Sequence, residues 1–335
     1  MAFSDLTGQK GIKKRLASAV SERQSGTFMF TGPVGSGRHV FAEEFARALM
    51  CSEPGADGAC GKCDCCKYFD AKTTPDIVRV YQPSETKNVK VSYIKDSVIP
   101  EIVLKPQFSQ TKVFILDLDY LGVESQNALL KSLEEPPAHV VFILLSSNRE
   151  MVLDTVISRA TEITIEPYSQ DEILEIIKKN VPDCPEQTMG IAAANCSGIP
   201  GKAIAVAKQG EDIDLKKQVA DMFLGLPDAT YNQVLLEDAG FMADHKEDAV
   251  FVACDILLLI DDLMRLKGAP GYKKISYSEH RTKLEKLAGS DRIDNVKLGK
   301  CAGAVKDFLK ALDVNANYDA ASCAMLLKIH EELKK

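Results

Sequence analysis

The 335-residue chain reads as an α/β protein whose second half is all helix. Three observations predict this. Short apolar runs recur between segments of helical spacing: FMFTG at 28–32, IVRVY at 77–81, KVFILDLDYL at 112–121, VVFILLSS at 140–147 and TEITIEP at 161–167. Strands alternating with helices imply a mainly parallel sheet. A glycine-rich stretch, TGPVGSGRH, joins the first strand to a helix. After Pro167 only helical periodicities remain.

Each element has its own reason. FMFTG is a buried strand stopped by a glycine turn. In VFAEEFARALMC at 40–51, apolar Val40, Phe41, Phe45, Ala48 and Leu49 recur at helical spacing. KVFILDLDYL is a buried run ending in acids. SQNALLKSLEEPP at 125–137 is a helix stopped by Pro136 and Pro137, because a residue before proline disfavours the helical region. SQDEILEIIKKN at 169–180 opens with Ser169 and carries Glu172 three residues on, a capping-box pattern. In EDAVFVACDILLLIDDLMRLKG, the stripe Val250, Ala253, Ile256, Leu257, Ile260, Leu263 and Met264 marks a core or subunit-contact helix. GKCAGAVKDFLKALD and YDAASCAMLLKIHEELKK follow with similar periods, and the polar KQGEDID near 208–214 is a candidate joint between domains.

Composition narrows the function. With 41 basic and 48 acidic residues the net charge is −7, which speaks against strong DNA binding by this chain alone. No apolar run approaches the ~20 residues of a membrane span. The N-terminus shows no signal-peptide pattern, so a cytoplasmic protein without membrane contact is expected. The five histidines are far apart, and none is assigned a role.

The glycine stretch nearly fits G-x-x-x-x-G-K-[ST], in which backbone N–H groups surround phosphates, a lysine reaches them and a hydroxyl binds Mg²⁺. Gly32, Gly35 and Gly37 keep the cradle, but Arg38 stands for the lysine and His39 for the hydroxyl. Imidazole is a poor partner for a hard, oxygen-preferring cation. At the acidic strand end Asp117 is present, yet its neighbour is Leu118, which can orient no water. Asp119 falls on the same side as Asp117 by strand alternation. Two positions of the catalytic apparatus are thus altered, which argues against hydrolysis and leaves a retained scaffold. Ser146 and Ser147, at the fourth strand's end, either contact a phosphate or bond the local backbone.

Five of the ten cysteines lie within 51–66. Cys51, Cys60, Cys63 and Cys66 form C-x8-C-x2-C-x2-C, four sulfurs for a closed, structural Zn²⁺ site. Cys65 is expected to point away, although by sequence alone it competes with Cys66. A redox disulfide is the alternative reading.

In order, GQKGIKKRL, GPVGSGR, the four-cysteine insert, KVFILDLDYL, NALLKSLEEPP and ISRA resemble the clamp-loader branch of the AAA+ superfamily. The resemblance covers nearly the whole chain. It implies an AAA+ core at 1–167 with the zinc insert at 51–66, a small helical lid at 168–209 and a helical collar at 210–335. It also implies a place in a five-subunit ring with delta and the tau/gamma ATPases, which puts the sliding clamp on primed DNA. By resemblance, Arg159 in Ser158-Arg159-Ala160 is an arginine finger serving the neighbour's ATP site; without it, Arg159 reads as a surface arginine capping the preceding helix. In the lid, Gly201 stands where active subunits carry a sensor arginine, with Lys202 after it. Lost lysine, hydroxyl, glutamate and lid arginine beside a retained Arg159 imply a subunit that holds no ATP or Mg²⁺ of its own. The competing readings are an active ATPase of the tau/gamma kind and a zinc-dependent DNA-binding module.

Overall fold

A computed structural model describes residues 2–81, 88–209, 213–314 and 316–334. The chain divides into two compact units, Met1–Tyr168 and Ser169–Lys335.

The first unit is built on five strands: β1 (Gly26–Thr31), β2 (Ile77–Val80), β3 (Lys112–Asp117), β4 (Val140–Ser146) and β5 (Thr161–Thr164). They lie in the order β2-β3-β4-β1-β5, and every pairing is parallel. β3 and β4 are buried along their whole length. That explains their unbroken apolar sequences, because helices cover both faces of a parallel sheet. After α1 (Lys10–Ser21), α2 (Arg38–Met50) covers one face and sets Phe45 edge-on against Phe28, ring centroids 5.0 Å apart. On the other, Leu129 and Leu133 of a helix at Val123–Glu134 pack with Phe114, Phe142, Ile94 and Val98.

All strands run the same way, so their C-terminal ends share one edge. Thr31 stands opposite Ser146 and Thr164, and Asp117 opposite Leu145. That edge is where open α/β sheets bind ligands. It gathers the glycine loop, the acidic strand end and the serines.

The Val123–Glu134 helix stops before Glu135, at the prolines as expected. One boundary differs from expectation for a physical reason. The acidic strand ends at Asp117, and Leu118–Tyr120 form a single 3₁₀ turn. Strand alternation therefore does not set the direction of Asp119. The turn does, with Asp117 Oδ1 accepting from the Asp119 amide at 3.2 Å.

The second unit is helical. Its elements include Gln170–Asn180, Glu186–Asn195, Pro200–Gln209, Ile213–Gly225, Ala249–Gly268, Arg281–Ala288, Asn295–Asp313 and Tyr318–Lys334. The capping box forms: Ser169 Oγ accepts from the Glu172 amide, and Glu172 accepts from the Ser169 amide at 2.9 Å. The Ala249–Gly268 helix is buried nearly all round, with Phe251, Val252, Ile256 and Leu259 in one core with Phe308, Leu326 and Ile329. Of the polar KQGEDID segment, residues 210–212 lie outside the described residues. No helix among the described residues is long and apolar enough to cross a membrane.

Candidate functional site

The glycine loop keeps a phosphate-loop backbone. Gly35 and Gly37 sit at φ 85° and 96°, values that side chains with a Cβ rarely adopt. At Gly32 a Cβ would come within 2.8 Å of Ser36 Oγ and 3.3 Å of Ile165 Cβ. Three glycines are thus required by the loop's shape alone, whether or not a ligand enters it.

The side chains complete the loop from within. Arg38, only 4% exposed, turns inward: Nη1 donates to the Gly32 carbonyl at 2.9 Å and Nη2 to Asp119 Oδ2 at 2.6 Å. Its Nε has no partner among the described residues. Asp119 also accepts from the Ser147 amide at 2.8 Å, while Ser146 Oγ donates to the Asn148 carbonyl at 2.9 Å. The serine hydroxyl is thus engaged with local backbone, and Asp119 joins Arg38 to the end of β4. His39 Nε2 stands 3.1 Å from Asp117 Oδ2, and Asp117 is buried. The Leu118 side chain points into the core beside Phe114 and Leu129. A water-orienting acid at that position would have to leave the apolar cluster.

Beyond His39 the charge network continues. Glu43 on α2 accepts from Arg79 Nε at 2.7 Å, Arg79 Nη2 at 2.9 Å and the Tyr81 hydroxyl at 2.5 Å. Burial pushes the Glu43 carboxyl up, but the bonds from Arg79 and Tyr81 outweigh it and hold the group below the usual range. His39 packs edge-on against Tyr81 at 5.3 Å.

The cysteine cluster sits at the far end of the same helix. Cys51 is the C-cap of α2, and Cys63 is the N-cap of α3 (Asp64–Asp70), which carries Cys66. The sulfurs of Cys51, Cys60, Cys63 and Cys66 all lie within 4.8 Å of one another. Cys51 and Cys63 Sγ are 3.8 Å apart. A tetrahedron with metal–sulfur bonds of ~2.3 Å has edges of about 3.8 Å, so the donor set fits zinc. The Cys65 thiol is turned away and donates to the Phe108 carbonyl at 3.2 Å, so Cys66 is the member of the cluster. Beside it, Arg47 of α2 donates twice to Asp70 of α3, at 2.8 and 2.7 Å. Gly58, at φ 94°, lets the loop close over Phe3, whose ring would be 3.1 Å from a Cβ there.

Comparison with known proteins bears on this arrangement. The sequence profile of the family described as DNA polymerase III, delta subunit, matches residues 8–169. Over those residues the chain is similar to that family. The relatives agree. DNA polymerase III subunit delta′ of Pseudomonas aeruginosa is 33% identical over 55% of this chain and 56% of its own. DNA polymerase III subunit tau of Bacillus subtilis is 26% identical over 82% of this chain and 52% of its own. The chain spans about half the length of these two relatives. Among solved structures, a DNA polymerase III gamma subunit-related protein from Thermotoga maritima aligns over 96% of this chain and 99% of its own, at 14% identity and a TM-score of 0.42.

Within the matched residues, Arg159 follows a one-turn helix at Asp154–Ile157. Its Nη1 donates to the Thr155 carbonyl at 2.6 Å and lies 3.2 Å from Ser158 Oγ. Nη2 pairs with Glu134. The guanidinium is therefore engaged within its own chain, and the helix-capping bond expected of a surface arginine is present. Glu134 belongs to the LEEPP string, but no spacing rule marked it as the partner of Arg159; only the fold brings them together. In the second unit Gly201 lies inside the Pro200–Gln209 helix, and Lys202 Nζ bonds Asp313 at 2.6 Å.

Proposed function

We propose that the chain is a non-catalytic, delta′-type subunit of the DNA polymerase III clamp loader, an assembly element that lends Arg159 to a neighbouring ATPase. The observation that carries this reading is the closed loop. Arg38 bonds the Gly32 carbonyl and Asp119, while His39 faces Asp117. The residues do not fit Mg²⁺: the hydroxyl position is an imidazole, and the carboxylate that would face the cation already has a partner. Phosphoryl transfer is catalysed almost wholly by positioning and charge stabilisation, and both are spent internally here.

Arg159 has no such commitment to a pocket. Its bonds are to Thr155, Ser158 and an exposed Glu134 carboxylate. Exposed ion pairs contribute about 0–1 kcal/mol, so a neighbour's triphosphate outcompetes Glu134 readily. In this reading residues 1–167 are the AAA+ core, 168–209 the lid and 210–335 the collar through which delta and tau/gamma subunits assemble. The sliding clamp and primed DNA are then met through the complex, in the cytoplasm. Zinc on the four cysteines is a structural clamp between α2 and α3.

A second reading, an active subunit of the tau/gamma kind, has one point in its favour. The tau relative matches 82% of this chain, against 55% for delta′. Phosphate release from ATP by the purified chain separates them: no turnover is expected, and robust turnover overturns the proposal. Arg159→Ala in a reconstituted loader should leave assembly intact and slow ATP hydrolysis, since a trans arginine contributes a factor of about 10³–10⁵ at the site it serves. Unchanged turnover would sink the finger role.

A further inference from the structure

The second unit contains a groove of about 1010 Å³ that the proposed function does not use. It opens between the Glu186–Asn195, Ile213–Gly225, Ala249–Gly268 and Asn295–Asp313 helices and the loop at 269–277. Its walls are tied in place. Gln187 Nε2 donates to Asp261 Oδ2 at 2.7 Å and Asp262 Oδ1 at 3.1 Å. Asp262 accepts from the amides of Ser276 at 3.0 Å and Tyr277 at 2.9 Å. Arg265 donates to Asp261 at 2.8 Å and to the Tyr272 hydroxyl at 3.0 Å. The groove is thus preformed, as binding sites usually are.

Its lining has two characters. Ile191, Leu257, Ile260, Met264 and Ile275 make an apolar floor. Lys216, Lys274 and Lys306 stand on the rim. Lys274 and Lys306 are exposed and have no ion-pair partner among the described residues. Lys216 holds its ammonium 5.8 Å from the Tyr277 ring centroid. Of the acids in the lining, Asp261 is already paired with Arg265, which leaves Glu186. Three lysines against one unpaired carboxylate make a cationic rim on a chain whose net charge is −7.

We propose that this groove is a docking site for an acidic amphipathic segment of a partner protein. Apolar side chains of the segment sit on the Ile191–Met264–Ile275 floor, and its carboxylates face Lys216, Lys274 and Lys306. Apolar burial supplies affinity, and the lysines select for charge. Single-stranded nucleic acid fits less well. It uses aromatic faces as stacking platforms, and the Tyr272 ring already lies 5.5 Å from the Arg265 guanidinium.

The test uses the purified full chain and a short fluorescein-labelled peptide of alternating leucine and aspartate, read by fluorescence anisotropy. Saturable binding is expected, weakening about tenfold in Lys274→Glu/Lys306→Glu and with rising salt. Both lysines are exposed, so the variant should keep its melting temperature, and that is measured alongside. A lysine-for-aspartate peptide should not bind. The proposal is overturned if the acidic peptide does not saturate, if the double variant binds it equally, or if a labelled oligothymidylate binds the same groove more tightly.

Discussion

At the residue scale, the loop's departures from the phosphate-binding pattern have a structural meaning beyond loss. Arg38 does not merely replace a lysine. Its longer, forked head reaches both the Gly32 carbonyl and Asp119, which a compact ammonium cannot do at once. Restoring the pattern separates binding from chemistry. Arg38→Lys with His39→Thr should free the carbonyl edge and Asp117, and raise affinity for Mg·ATP in a fluorescent-nucleotide titration. Phosphate release should stay at background, because Leu118 remains packed in the core where a water-orienting acid is needed. Turnover in that variant would show that the acidic strand end is competent. Gly32, Gly37, Arg38, His39 and Asp117 each occupy a numbered place in a known spacing, so the loop and the acidic strand end could be located in the sequence. Strand alternation placed Asp119 beside Asp117, but neither its bonds nor those of Glu134 could be read there. Their partners lie far along the chain, at Arg38 and Ser147 for one and Arg159 for the other.

At the element scale, the cysteine cluster ties the end of α2 to the short helix α3. α3 has only seven residues, of which Cys65, Cys66 and Phe69 are buried, and the Arg47–Asp70 pair and the four sulfurs add cross-links to that packing. Cys60→Ser with Cys63→Ser should remove one zinc per chain by metal analysis and lower the melting temperature. Cys65→Ser should keep the zinc, because that thiol faces the Phe108 carbonyl. Loss of metal in Cys65→Ser would mean that the wrong sulfur has been assigned. The spacing announced the cluster because thiolates every third residue in a tight loop leave little choice of geometry. The central strands β3 and β4 were legible for a similar reason: parallel strands buried on both faces must be mainly apolar. The end of β3 was not, since the 3₁₀ turn that follows it is set by the Asp117 carboxylate capping the Asp119 amide. Asp76 was missed too. It is buried at the foot of β2 and accepts from the amides of Gln107, Phe108 and Ser109 at 2.6, 2.8 and 2.7 Å. No local pattern announces a carboxylate that closes a loop thirty-odd residues away.

At the scale of the whole molecule, the helical unit carries a titration of its own. Asp255 lies in the Ala249–Gly268 helix, and burial pushes its carboxyl up from 3.8 to about 6. An aspartate whose folded value is raised binds its proton more tightly in the folded state. Stability is therefore greatest below the unfolded value near 3.8, declines as pH rises toward 6, and stays reduced above it. The shift corresponds to about 3 kcal/mol at neutral pH. Asp255→Asn should raise the melting temperature at pH 8 and change it little at pH 4. Calorimetry at the two pH values checks this, and equal shifts at both would rule out the protonation account.

The inward turn of Arg38 has a last consequence at this scale. A loop that supplies its own counter-charge keeps its shape whether or not a nucleotide arrives, so it has nothing to report about the progress of a hydrolytic cycle. In the assembly proposed above, a protomer built this way is deaf to the clock its neighbours run on, and it offers them a surface that stays constant from one stroke to the next.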